Sequence, residues 1–121
     1  MKALVVDDSM TIRRIVIKAL AMAGINDTAE AADGEEAIKA TQADTYDVIL
    51  LDWNMPKMTG IETLKALRGG GNKTPVIMVT TEAEKSRVIE AIKSGANDYL
   101  IKPFSPDQLA SKVKNVVGAP A

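Results

Sequence analysis

Three carboxylates, one hydroxyl and one ammonium stand at the ends of apolar runs in this sequence. Asp7 and Asp8 follow Ala3-Leu4-Val5-Val6, and Asp52 follows Val48-Ile49-Leu50-Leu51. Thr80 follows Val76-Ile77-Met78-Val79, and Lys102 follows Tyr99-Leu100-Ile101. If these runs are parallel strands, their C-terminal ends form the edge at which α/β folds bind ligands. Clustered carboxylates repel one another, so at neutral pH they need a cation or displaced pKa values. Carboxylate oxygens with room for water suit Mg²⁺, which takes one or two carboxylates and shares its other positions with water and phosphate oxygens. A carboxylate facing a metal-bound phosphoryl group can act as nucleophile and form an acyl phosphate. Lys102 and the Thr80 hydroxyl suit the phosphoryl oxygens left over.

Taken singly, each residue has an ordinary reading. Asp7-Asp8 would cap the next helix. Asp52 heads a turn-like stretch, Asp52-Trp53-Asn54-Met55-Pro56, where Asp and Pro are common. Thr80 adjoins Thr81 at a helix start, and Lys102 would be an exposed strand-end lysine. Their joint placement, each one step beyond an apolar run, is what points to a site.

The elements that must hold them alternate five times. After Ala3–Val6, residues Ile12, Ile15, Val16, Ala19 and Leu20 recur with the spacing of one buried helix face, and Gly24 supplies a left-handed C-terminal cap. Asp27–Ala31 reads as a second strand. Asp33 with Glu36 forms a capping box for a helix to about Thr41. Tyr46–Leu51 is nearly continuous in apolar residues, as in a strand covered on both faces. Thr59 with Glu62 opens a helix through Ile61, Leu64 and Leu67. Gly69-Gly70-Gly71-Asn72-Lys73 then leads to a strand over Pro75–Val79. Thr81 with Glu84 opens a helix containing Val88, Ile89 and Ile92, closed by Gly95. Tyr99–Ile101 is the fifth strand, and Ser105-Pro106 starts a last helix with Leu109, Val113 and Val116 facing inward. Gly118–Ala121 reads as a frayed tail.

Five βα units imply a doubly wound parallel sheet with helices on both faces. The order 2-1-3-4-5, that of flavodoxin-like folds, makes strands 1 and 3 neighbours at the switch point. That order sets Asp7 and Asp8 beside Asp52, with Thr80 and Lys102 continuing one wall of the cleft.

Composition narrows the function classes. The 121 residues suit one domain, expected over 1–121, able to bury roughly two-thirds of its unfolded surface. A net charge of −1 offers no general attraction to nucleic acid or anionic membrane. No apolar run approaches the ~20 residues of a membrane span, and no signal-peptide pattern follows Met1, so a cytoplasmic protein is expected. With 0 Cys and 0 His there is no disulfide framework, no thiolate or imidazole metal site and no histidine base.

The set Val5-Val6-Asp7-Asp8, Asp52-Trp53-Asn54-Met55-Pro56, Val79-Thr80 and Lys102-Pro103-Phe104 resembles the response-regulator receiver family over essentially the whole chain. Asp52-Trp53-Asn54-Met55-Pro56 and the helix start Thr11-Ile12-Arg13-Arg14 are most similar to its stand-alone chemotaxis members. The resemblance implies that Asp52 is the phospho-acceptor. It implies that Asp8 ligates Mg²⁺ directly, Asp7 does so through water, and Asp52 and the Asn54 carbonyl complete the protein ligands. Thr80 and Lys102 would contact the phosphoryl group, and Lys102-Pro103 would carry a cis peptide. It further implies a switch in which Thr80 moves toward the phosphoryl group and Tyr99 turns inward. Asn54 and Glu82 would tune autodephosphorylation, which is expected to be fairly rapid. The output surface would be the helix after strand 4, strand 5 and the last helix, with Ala83, Lys85, Val88, Ile92, Tyr99 and Lys112 as contacts.

The implied partners are a histidine kinase of the chemotaxis type, the flagellar motor switch protein and a dedicated phosphatase, with the chain itself a monomer and no separate substrate turnover. A single-domain receiver of another phosphorelay is the alternative. A small Mg²⁺-dependent phosphatase with an Asp nucleophile, of the haloacid-dehalogenase kind, fits less well. That class places a second acid two positions on, where this sequence has Asn54. If the chain is the full gene product, no DNA-binding domain follows the receiver and direct transcriptional output is not expected.

Overall fold

The computed structural model describes residues 1–55, 57–80 and 85–117, with the side chains of Lys85 and Ser86 left out of that description. Five strands alternate with five helices: β1 (Lys2–Val6), α1 (Met10–Met22), β2 (Asp27–Ala31), α2 (Gly34–Ala43), β3 (Val48–Asp52), α3 (Gly60–Gly69), β4 (Val76–Thr80), α4 (Lys85–Lys93), β5 (Asp98–Ile101) and α5 (Pro106–Val117). All strand pairs are parallel and the sheet order is β2-β1-β3-β4-β5, as expected from the alternation.

The two-residue period of the strands sorts the core onto two faces. Leu4, Val6, Ile49, Leu51, Val76 and Met78 face one side, packed with Ala37 of α2, Ile61, Leu64 and Leu67 of α3 and Ala91 of α4. Ala3, Val5, Val48, Leu50, Ile77, Val79 and Leu100 face the other, against Val16, Ala19 and Leu20 of α1 and Leu109 and Val113 of α5. Each fully buried Leu or Ile among them contributes roughly 1.5–3 kcal/mol. The three central strands carry apolar residues at successive positions because both sheet faces are covered.

Helix starts follow the polar residues that precede them. Ser9 accepts from the Ile12 N–H, and Thr59 with Glu62 forms the reciprocal capping box. Asp33 accepts from the Glu36 N–H, but the Glu36 carboxylate returns to the Ala32 N–H, one residue earlier than a capping box requires. The last helix has a reciprocal pair that its sequence reading lacked: Ser105 N–H donates to Gln108 Oε1 and Gln108 N–H to Ser105 Oγ. Gly24 and Gly95 hold the left-handed conformation past α1 and α4, with φ of 88° and 109°. Arg68, at the end of α3, donates to the carbonyls of Asn72, Thr74 and Gly95 and so ties the loops before β4 and β5.

Several expectations shift. β3 starts at Val48 instead of Tyr46, because Asp47 turns to exchange hydrogen bonds with Lys2: its N–H donates to Lys2 O and its Oδ2 accepts from Lys2 N. Tyr46 is buried all the same, with Lys2 Nζ over its ring. β4 is displaced by one residue, with the Pro75 carbonyl accepting from Ile49 N. α2 and α3 each run two residues further than their apolar pattern. Ile15, placed on the buried face of α1 by its spacing, is 45% exposed. The first turns of α1 lie beside the strand ends, where Ile12 and Ile15 line a cavity of about 260 Å³ with Lys102, Pro103 and Phe104. The Thr81–Glu84 capping box and the Gly118–Ala121 tail lie outside the described residues.

Candidate functional site

Strand parity brings the polar residues together. Asp52 continues the alternation of Val48 and Leu50, Asp7 that of Ala3 and Val5, and Lys102 that of Leu100, so all three leave the sheet on the side of α1 and α5. Thr80 takes the other parity, after Met78, and is buried. One oxygen each of Asp7, Asp8 and Asp52 lies within 4.8 Å of the others. Lys102 Nζ donates to Asp52 Oδ1 at 2.9 Å and to Asp7 Oδ2 at 3.1 Å.

The backbone fixes each of these residues. Asp52 ends β3, and the next residue is fixed on both sides: Trp53 N donates to Val79 O at 3.1 Å, and its carbonyl accepts from Gly60 N at 2.8 Å. That close return requires glycine, since a Cβ at Gly60 would stand 2.1 Å from the Asp52 carbonyl oxygen. Asp7 N donates to Ala31 O, and its Oδ1 accepts from Ser9 N at 2.9 Å. Lys102 N donates to Thr80 O at 2.7 Å, and the Lys102–Pro103 bond is cis.

Asp7 and Asp52 are 3% and 4% exposed, whereas Asp8 is open to solvent. Burial pushes the Asp52 carboxyl above its ordinary value; the nearby Asp7 and Asp8 charges add to this, and Lys102 opposes it. Burial also works against the Lys102 charge, but its hydrogen bonds to Asp52 and Asp7 and their negative charge outweigh that and raise its pKa. One ammonium against three carboxylates leaves negative charge uncompensated when all are ionised. The donor set, hard oxygens with one side open to water, therefore fits a divalent cation such as Mg²⁺.

The other residues singled out from the sequence lie around this centre. Asn54 is exposed beside it. Tyr99 is half-buried against the α3 side of the core, with Lys112 Nζ 5.1 Å from its ring centroid and Lys112 in turn paired with Asp98. A cavity of about 320 Å³ lined by Tyr99, Lys102, Pro103, Gln108 and Lys112 connects that ring to the site lysine. Along α4, Val88 is half-buried and Ile92 is 46% exposed, as is Ile89 at 42%. Pro56, Glu82, Ala83 and the Lys85 side chain lie outside the described residues.

Two arginines enter that sequence reasoning had not placed at the site. Arg13 Nη1 donates to the Asp7 carbonyl at 2.6 Å. Arg87 sits over the Trp53 ring at 5.5 Å, covering the residue next to Asp52 from α4. Arg87 and Trp53 are distant in sequence and have no local signal, while Arg13 is six residues from Asp7 but no capping or periodicity rule pairs its guanidinium with that carbonyl.

The response regulator receiver domain profile matches residues 3–114. The chain is 46% identical over 121 residues to the chemotaxis protein CheY homolog of Campylobacter jejuni, covering 98% of this chain and 93% of that one. It is 45% identical to chemotaxis protein CheY1 of Helicobacter pylori, covering 98% of each. Among solved structures, the Francisella response regulator 1452 receiver domain superposes with a TM-score of 0.90 at 41% identity, over 96% of this chain and 95% of that chain. Vibrio cholerae chemotaxis protein CheY4 does so with 0.88 at 43% identity, over 95% and 97%. The strand order, the acidic centre with its lysine and these likenesses agree: the chain belongs to the response regulator receiver domain family.

Proposed function

We propose that Asp52 takes a phosphoryl group from a histidine kinase with Mg²⁺ bound by the acidic centre, and that the phosphorylated form engages the flagellar motor switch. The observation that carries this reading is the approach of Asp7, Asp8 and Asp52 within 4.8 Å, with Lys102 Nζ 2.9 Å from Asp52. In the transfer an Asp52 carboxylate oxygen forms the new bond to phosphorus, the bond from phosphorus to the kinase imidazole breaks, and that nitrogen keeps the electron pair. Bound Mg²⁺ supplies positive charge to the phosphoryl oxygens. Asp8 and Asp52 would hold it directly and Asp7 through water, with the Asn54 carbonyl completing the protein ligands. Lys102 exchanges its carboxylate partners for phosphoryl oxygens, and the Thr80 hydroxyl closes on another.

Movement of Thr80 then frees the space into which Tyr99 turns, and the surface of α4, β5 and α5 changes shape. Ala83, Lys85, Val88, Ile92, Tyr99 and Lys112 are its proposed contacts. Asn54 and Glu82 govern access of the water that ends the signal by rapid hydrolysis. The chemotaxis assignment rests on the relatives named above.

Intact mass after incubation with a small phosphodonor and Mg²⁺ tests the chemistry. Wild type should gain one phosphoryl group and Asp52→Asn none; equal gain by both would sink the assignment, and a phospho-form lasting hours would contradict rapid hydrolysis. Binding of the phosphorylated and unphosphorylated forms to a flagellar switch component separates the motor from other outputs.

A further inference from the structure

Arg13 reaches the acidic centre without belonging to it. From the first turns of α1 its Nη1 donates to the Asp7 carbonyl at 2.6 Å, while its Nε donates to Glu30 Oε1 at 2.9 Å. Glu30 lies on β2, paired in register with Val5 of β1. The guanidinium therefore straps the turn between β1 and α1 across to the neighbouring strand. Its side chain is 13% exposed, with the bond to the Asp7 carbonyl on the sheltered side and the Glu30 carboxylate, 47% exposed, on the solvent side.

The Asp7 carbonyl belongs to the peptide plane from which Asp8 starts. Arg13 holds that plane directly at Asp7 O, and the peptides on either side are held in turn, Asp7 N by Ala31 O and Ser9 N by Asp7 Oδ1. Asp8 is exposed, and the held peptide limits where its carboxylate can point. A guanidinium this close to a cation site would also repel the cation, and the Glu30 carboxylate offsets that charge.

We propose that Arg13 is a positioning residue for the metal centre: it orients the Asp8 carboxylate through the Asp7 carbonyl, and Glu30 neutralises its charge. The inference rests on the Mg²⁺ reading above. It gives the Arg13–Glu30 pair a part in metal affinity, beyond a surface ion pair, which would be near neutral for stability.

Mg²⁺ titrations followed by Trp53 fluorescence and by calorimetry test it, on the full chain without phosphodonor, alongside metal-free thermal unfolding. Arg13→Lys, whose single nitrogen cannot span both partners, and Arg13→Gln should weaken Mg²⁺ binding about 10-fold. Glu30→Gln should weaken it about 3-fold at low salt, less as salt screens the uncovered charge. Arg13 variants that bind Mg²⁺ like wild type, with only a lower Tm, would overturn the proposal by leaving Arg13 a purely structural role. Should those variants fail to fold, Glu30→Gln decides, and unchanged affinity at low salt would overturn it. A wild type silent to Mg²⁺ by both methods would remove the metal reading itself, and this inference with it.

Discussion

Lys102 and Asp52 show how one pair sets the chemistry and the stability of the site. Burial raises the Asp52 pKa above its ordinary 3.8, so just above that pH the folded chain holds a proton that the unfolded chain has released. Stability contributed by this group therefore falls as pH rises through the window between 3.8 and the raised value. Lys102 has the opposite sense: its raised pKa contributes stability present below 10.5 and lost as pH rises through the folded value. We expect metal-free Asp52→Asn to gain stability relative to wild type as pH rises from 3 to 7, because the amide has no buried charge to expose. The two should converge at pH 3. Urea unfolding across pH checks this, and parallel curves would show that Asp52 carries no strain. The residues of this cluster were visible in the sequence because they sit at the ends of apolar runs, Asp7-Asp8 after Val6 and Asp52 after Leu51. The Lys102 pairing was not, since Asp7 lies 95 residues away and Asp52 lies 50 away.

The elements place those residues through parity and through one close backbone approach. Strands β1, β3 and β5 end in phase, which puts Asp7, Asp52 and Lys102 on the same side of the sheet. The turn after β3 returns so tightly that Gly60 N bonds the Trp53 carbonyl. Gly60→Ala would drive a methyl group to within 2.1 Å of the Asp52 carbonyl oxygen. We expect a loss of about 3 kcal/mol and a weaker Trp53 fluorescence response to Mg²⁺, measurable in one denaturant series with and without metal. A variant as stable as wild type would mean that the turn yields easily. Capping residues located the starts of α2, α3 and α5, because a cap acts over three or four residues and is legible locally, whereas α1 is capped by Ser9 and not by the preceding Asp7-Asp8. The exposure of Ile15 was not legible: helical spacing marks an apolar stripe but not where the neighbouring layer stops.

At the level of the whole molecule, the cleft gathers three carboxylates whose mutual repulsion a bound cation would relieve. Mg²⁺ binding to the folded form alone should raise stability by RT ln(1 + [Mg²⁺]/Kd), about 2.7 kcal/mol at one hundred times Kd. Thermal unfolding against Mg²⁺ concentration should show a rising Tm that a chelator reverses, and a flat response would argue against the ligand set. Among the described residues no helix is long and apolar enough to cross a membrane.

The alternation of apolar runs with capped helices was enough to state a parallel sheet in the order 2-1-3-4-5 and a cleft at its carboxyl edge. The elements follow from short-range rules, side-chain periodicity and capping chemistry, and the order from the few right-handed windings that common five-stranded α/β folds use. The roles of Arg13, Arg68 and Arg87 became visible only in the folded chain. A long guanidinium finds partners through space, as Arg13 does on Glu30, Arg68 on the Gly95 carbonyl and Arg87 on the Trp53 ring.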